Sequence, residues 1–367
     1  MNASLCHDIM KECGKFARNE IRPCALDLDL DPDKERIASI WHKSREMDLP
    51  GLLVPESFGG GDMDGLCAAM VLDCLAAECA GTAIHFAQHF SACAALAAAA
   101  DEKKELLFQK LADTDKTGIM ASICLPADLS ENRLTVTEDI LEGVSPPMGT
   151  AELAGGMIAF AQTTEEPPEC LALWIDQSTP GVSTGKPLHL PGLKAVAFAP
   201  LACRQVDLKE VITLGRGKAA EHMLSAAHRA FYGLVSATAM GCARTGILQA
   251  DQYARQRYQF GRIIIDHPEI RRMIGAMQMK LTAGTAAYLD LFNETGIRPA
   301  FHAPSAALTK AFCTEAALEI ILDAIQIHGG YGYMHEYGLE KRMRDIKVLG
   351  LMGEVNPYLQ VRHVAGK

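Results

Sequence analysis

The sequence predicts a mainly α-helical protein with a central β domain, in the order helical, β, helical. Three observations predict it. Apolar residues recur at helical spacing up to about residue 113. Short alternating segments separated by Pro, Gly and Asp then fill about 117–213. From about residue 219 long helical periodicities return, with short connections that suggest a bundle. The expected parts are residues 1–116, 117–213 and 214–367.

Taken in order, Ile9, Cys13, Phe16 and Ala17 share one face of a first helix, expected to end before Pro23. Ile37, Ile40, Trp41 and Met47 repeat that spacing. "GLLVPESFGGGDMDG" reads as a loop, because Pro and Gly punctuate it. "LCAAMVLDCLAAECAG" is a helix expected to stop at Gly81, a favoured C-terminal residue. It and "SACAALAAAADEKKELLFQKLAD" are apolar on much of their circumference and belong in a core. "GIMASICL", "RLTVTE", "GGMIAFAQ", "CLALWID", "KAVAFAPL" and "CRQVDLKEV" are strand-like, which suits a sandwich or barrel. Met223, Ala227, Ala230, Leu234, Ala237 and Gly241 open the second helical part. "EIRRMIGAMQMKLTAGTAAYLDLF" and "SAALTKAFCTEAALEIILDAIQI" continue it.

Composition excludes several classes. Asp plus Glu number 45 against 35 Lys plus Arg, a formal net charge of −10 over 367 residues. Nucleic acid and anionic membranes are poor partners for that surface. No apolar run approaches the length of a membrane span, and no secretory h-region opens the chain, so a cytoplasmic protein is expected. The 12 Cys are scattered without C-x-x-C or metal-ligand spacing, which fits reduced, buried thiols. His85 and His89 are one helical turn apart, but no H-E-x-x-H accompanies them. They read as imidazoles facing a polar pocket or a neighbouring helix, and no metal is expected. There is neither a P-loop nor a G-x-G-x-x-G after a strand.

Chemistry gathers near the C-terminus. "ARQRYQFGRIIIDHPEIRRMIGAM" puts Arg257 at a helix end, just before Phe260 and Gly261. "AIQIHGGYGYMHEYGLEKRMRD" puts Gln326 before a Gly329-Gly330 break, where backbone N–H groups suit anionic oxygens. The guanidinium of Arg257 is a fixed fork of donors that matches a pyrophosphate. "RYQFGR", "QIHGGYGYMHE" and "EKRMRD", with "GLLVPESFGGGDMDG" near residue 51, resemble the acyl-CoA dehydrogenase family from Gly51 to about Gln360.

The resemblance implies an N-terminal helical domain, a β-barrel and a C-terminal four-helix bundle, usually in a homotetramer. It implies FAD spread across a subunit interface and an acyl-CoA substrate. A Glu would take the α-proton, and an electron-transfer flavoprotein would take the electrons. Each FAD site draws on two chains. The in-trans contribution, which grips the pyrophosphate and adenosine part, maps here onto Arg257, Phe260, Gln326, Gly329 and Gly330. The in-cis contribution has diverged. Where the family carries a T-E-P-x-A-G-S-D loop, this chain reads "CLPADLSENR", keeping only Pro126, Ala127 and Ser130. Where the family has W-I-T-N, "LEGVSPPMGTAE" puts Pro147 at the Trp and Gly149 at the Thr, and Pro brings no N–H.

The family's Glu-Gly-Thr falls on Gly353, Glu354 and Val355, so the acid is absent or displaced by one residue. Such a shift turns a helical side chain by about 100°. The alternative base position of some members falls on Phe231, with His228 and Arg229 one turn earlier. Arg229 and Tyr232 replace an acid and an Arg that contact CoA. Three readings follow. The chain completes the FAD site of a homologous partner in a heterodimer or heterotetramer. Or it is self-sufficient, with Glu354, Glu56 or Asp62 as base. Or it is a redox-neutral or non-catalytic acyl-CoA-binding member. Arg271 and Arg272 are expected on the surface, and Arg344 with Asp345 in a structural role.

Overall fold

The computed structural model describes residues 3–100, 102–112, 120–126, 133–293 and 305–365. The N-terminal part contains α1 (Ala3–Phe16), α2 (Asp27–Leu30), α3 (Lys34–Arg45), α4 (Gly65–Ala76), α5 (Ala80–Ala97) and α6 (Lys103–Ala112). Asp33 caps α3 by accepting from the Glu35 and Arg36 N–H groups, and Asp64 caps α4 through the Cys67 N–H. Nearly every residue of α5 is buried, the polar Thr82, His85, Gln88, His89 and Ser91 included.

Three expected helix bounds differ, one of them because the helix expected from Ser91 onward is the end of α5, which stops at Ala97, followed by α6, which begins at Lys103. The first helix does not stop before Pro23. It passes through a π turn, Ala17–Ile21, into a short 3₁₀ segment, Arg22–Cys24, where Pro23 sits near the N-terminus and needs no N–H. Gly81 does not end a helix either. It lies in the first turn of α5, where an added Cβ would come 3.0 Å from the Ala195 side chain, so its smallness serves helix-to-loop contact.

The central part is one sheet of β1 (Ala121–Ile123), β2 (Leu134–Thr137), β3 (Ile140–Val144), β4 (Gly156–Thr163), β5 (Cys170–Asp176), β6 (Val182–Thr184), β7 (Leu201–Asp207) and β8 (Ile212–Arg216). The order is β6-β7-β3-β2-β4-β5-β8, with β1 added parallel to β4. Glu138 and Asp139 both have positive φ, the geometry that a tight β2–β3 hairpin demands. Met157, Ala159 and Ala161 of β4 meet Leu171, Leu173 and Ile175 of β5 in a core private to this domain. The alternate residues Ile158, Phe160 and Trp174 enter the core shared with the helices. Burial on both faces explains why these strands are continuously apolar. Among the described residues no ladder joins β6 to β8, so hydrogen bonding leaves the expected barrel open.

The last strand of the central sheet runs through Arg216, and the C-terminal helices begin after it. They are α7 (Lys218–Gln256), α8 (Pro268–Phe292), α9 (Ala306–His328), α10 (Leu339–Leu349) and α11 (Asn356–Val364). A two-strand hairpin, β9 (Tyr258–Gln259) with β10 (Arg262–Ile263), follows α7. Asp73 of α4 receives both Arg244 of α7 and the Tyr288 hydroxyl of α8, tying the two helical parts together. Arg344 of α10 donates to Asp29, Glu340 and the Pro191 carbonyl, while Asp345 accepts from Lys341 and the Leu193 N–H. Both residues therefore act as ties of the fold. The guanidinium also supplies the positive charge where Asp29, Glu340 and His335 gather.

All 12 Cys are unpaired. Among the described residues no helix is long and apolar enough to cross a membrane.

Candidate functional site

Two concavities hold most of the residues singled out by the sequence, and Arg229 lines a third, of about 640 Å³, beside Met63, Asp64 and Phe292. The first is a groove of about 620 Å³ at the end of α7 and α9, and Arg257, Phe260, Gln326, Gly329 and Gly330 all line it. Local folding explains the convergence. Arg257 is the C-terminal cap of α7, its N–H donating to the Tyr253 carbonyl. Phe260 sits at the tip of the β9–β10 hairpin with φ 52° and is 90% exposed. Gln326 lies in the last turn of α9, which Gly329 ends with φ 59°.

The Arg257 guanidinium lies 5.9 Å from the Tyr331 ring centre, and among the described residues no carboxylate pairs with it. A Cβ at Gly329 or Gly330 would meet no atom within 4 Å, so the backbone there is open. The N–H of Gly329 is already engaged by the Gln326 carbonyl, so the break offers fewer free donors than the sequence suggests. A guanidinium without a carboxylate, an open backbone and exposed aromatic faces suit a phosphate-bearing ligand with an aromatic ring.

The second concavity, about 220 Å³, lies between the β domain, α5, α7 and the segment after α10. Leu188, Leu190, Phe198, Phe231 and Met352 make it apolar. Pro146 and Pro147 are on its wall. The Ser145 N–H donates to the Leu201 carbonyl and the Met148 N–H to that of Ala199, so the two prolines leave a gap without donors between them. Gln88 also lines this cavity. Its side-chain oxygen accepts from the Ile123 N–H at 3.4 Å. Ala127 and Ser130 lie outside the described residues.

Gly353 reaches this cavity, and Glu354 is not among its walls. The Glu354 carboxylate pairs with Arg362 at 3.2 Å. Glu56 and Asp62 are exposed and line neither concavity. Phe231 lines the cavity without offering an acid. His228 stacks parallel to Tyr232, ring centres 5.5 Å apart. Burial pushes its pKa down to about 4 against the pull of the Pro126 backbone carbonyl. The Tyr232 hydroxyl is driven up by burial and then by the nearby Glu354 charge, so it stays protonated at neutral pH.

His85 and His89 line neither concavity. The Nε2–H of His85 donates to the Ala195 carbonyl, and that of His89 to the Pro50 carbonyl. The Ala121 N–H donates to Nδ1 of His89. Burial lowers both to about 4. They are neutral ties between α5 and the surrounding loops. Arg271 and Arg272 are surface cations paired with Asp266 and Glu269.

Sequence reasoning missed Lys310. Its buried ammonium donates to the Gly350 and Glu354 carbonyls and to Asn356 Oδ1, at 2.8, 2.8 and 3.0 Å. Burial pushes it down to about 7, against the Glu354 and Glu315 charges. A lone lysine on an otherwise apolar helix face is the signal that could have found it.

For the flavin that the resemblance implies, the two concavities give different answers. The groove offers a cation and open backbone to the phosphate end. The cavity offers one amide, two prolines and no acid on its described walls.

Comparisons with known proteins cover both helical parts. Residues 6–115 match the model described as "Acyl-CoA dehydrogenase, N-terminal domain", and residues 233–353 the one described as "Acyl-CoA dehydrogenase, C-terminal domain". The chain is 26% identical over 364 residues to a 3-(aryl)acrylate reductase of Clostridium sporogenes, covering 94% of each. It is 26% identical over 353 residues to the caffeyl-CoA reductase-Etf complex subunit CarC of Acetobacterium woodii, covering 93% of this chain and 92% of the other. The structure of butyryl-CoA dehydrogenase from Megasphaera elsdenii superposes with a TM-score of 0.88 at 22% identity, covering 100% of this chain and 98% of that one.

Proposed function

The chain belongs to the acyl-CoA dehydrogenase family, whose members are FAD-dependent oxidoreductases, and from that premise we propose that it completes the FAD site of a homologous partner subunit. In this reading Arg257, Phe260, Gln326, Gly329 and Gly330 hold the pyrophosphate and adenosine part of a flavin whose ring lies in the partner. FAD, when bound, supplies the two-electron chemistry between an acyl-CoA and its α,β-unsaturated form. This chain's part is to bind and orient. Arg257 neutralises phosphate charge with a fork of donors, and the exposed Phe260 gives a flat apolar face. The base comes from the partner. The Etf complex named for one relative supports an electron-transfer flavoprotein as redox partner, and the reductase names support operation in either direction.

The observation that carries the reading is the split itself. Five in-trans positions converge on one open groove, while the family's acid position is Gly353 on an apolar wall. The Arg362 pairing of Glu354 counts against a self-sufficient enzyme with that residue as base. The test is flavin stoichiometry. The chain is expressed alone and with its homologous partner, and FAD per chain is measured by absorbance. About half the usual load is expected, only in the mixed assembly. A full load on the pure homo-oligomer would end the proposal.

A further inference from the structure

Gly353 has φ 72°, the left-handed region. A Cβ built there would lie 2.5 Å from Tyr232 Cε1 and 3.3 Å from its hydroxyl. A real Cβ does not approach an aromatic carbon that closely, and Tyr232 has little freedom to withdraw. It is 6% exposed, and His228 stacks parallel on its ring. The segment carrying Gly353 is held as firmly. Lys310 takes the carbonyls on either side of it, those of Gly350 and Glu354, together with Asn356 Oδ1. Asn356 in turn donates to the Thr314 hydroxyl of α9. Neither side of the close approach yields without breaking buried hydrogen bonds or the ring stack.

We infer that Tyr232 and Gly353 are a matched pair, in which the Tyr232 ring fills the volume an acidic side chain at position 353 would need. The inference rests on the reading that this chain's own cavity lacks its acid. It adds that the loss is built in at two positions on separate elements, so that the acid is excluded by shape as well as missing. Tyr232 does not replace the acid chemically, since its phenol stays protonated where a carboxylate would be a base. Nor does the segment swing Glu354 inward, because its carbonyl is bound to Lys310 and its carboxylate to Arg362.

A double-mutant cycle on the full chain in its assembly tests this through thermal midpoints. Gly353→Ala lowers the midpoint sharply in the wild type. In the Tyr232→Ala background it lowers it by less than half as much, the remainder being the left-handed φ. In a Tyr232→Phe background the full penalty persists, because the ring edge and not the hydroxyl makes the contact. If Gly353→Ala alone yields no folded protein, its recovery by Tyr232→Ala is the expected result. Equal penalties in the two backgrounds, or no recovery, overturn the pairing. The FAD content of each assembly is measured alongside. A full load on the homo-oligomer would remove the proposed function and leave the result of the cycle on the pair standing.

Discussion

The groove at the end of α7 and α9 and the cavity beside the β domain are built on opposite principles. The groove is held open by what is missing around it. No atom lies within 4 Å of a Cβ at Gly329 or Gly330, Phe260 is nearly bare, and among the described residues no carboxylate pairs with Arg257. The cavity is closed by what fills it. Phe231, Met352, Leu188 and two prolines line it, the Tyr232 ring backs Gly353, and Lys310 pins the rim. Polar groups left open to solvent are available for a ligand. Polar groups locked in buried hydrogen bonds serve the fold. Within one chain, then, one concavity leaves a cation and open backbone exposed, and the other is walled mainly by apolar side chains.

Acid should have the largest effect, through the buried histidines of α5 and the one stacked on Tyr232. His85, His89 and His228 have folded pKa values lowered from 6.5 to about 4 by burial, so between those values the unfolded chain binds protons that the folded chain refuses. Stability is therefore complete above pH 6.5 and falls as pH drops toward about 4, by roughly 3 kcal/mol for each fully buried imidazole. Denaturant titrations at pH 7 and 5 read this, and the loss should be shallower in His85→Gln and His89→Gln. Lys310→Met comes next. It leaves two carbonyls and an amide oxygen without a donor, at a cost of about 3 kcal/mol, while FAD per assembly stays unchanged. Loss of flavin in that variant would mean that the two regions are coupled.

The open side answers to Arg257. Arg257→Met should weaken FAD retention in the mixed assembly by about 1.5–3 kcal/mol, read by flavin released on dilution, with no change in thermal midpoint before flavin is lost. Glu354→Gln should do least, leaving turnover of the mixed assembly within about twofold of wild type. Loss of activity there would return the carboxylate to the chemistry.

Much of the open side is legible in the sequence because its residues act through local geometry. Arg257, Phe260 and Gly261 belong to one helix end and one hairpin, and Gln326 to Gly330 belong to another helix end. Their grouping into short local motifs is what carries the family resemblance. The closed side is legible only as a set of absences. The chain itself shows that Pro147 and Gly149 stand where a Trp and a Thr are expected, but not what occupies the space those side chains would fill. The helix stop expected at Gly81 is absent for a related reason: the small size of Gly81 answers to Ala195, a residue far along the chain.

The sequence by itself determined the order helical, β, helical and the family, because periodicity and short motifs are local properties of the chain. Only the tertiary structure decided that β4 and β5 are buried on both faces, that Lys310 ties α9 to the segment after α10, and that the Tyr232 ring stands against Gly353. Those outcomes depend on which surfaces are pressed together, and close packing fixes that at the scale of a single carbon atom.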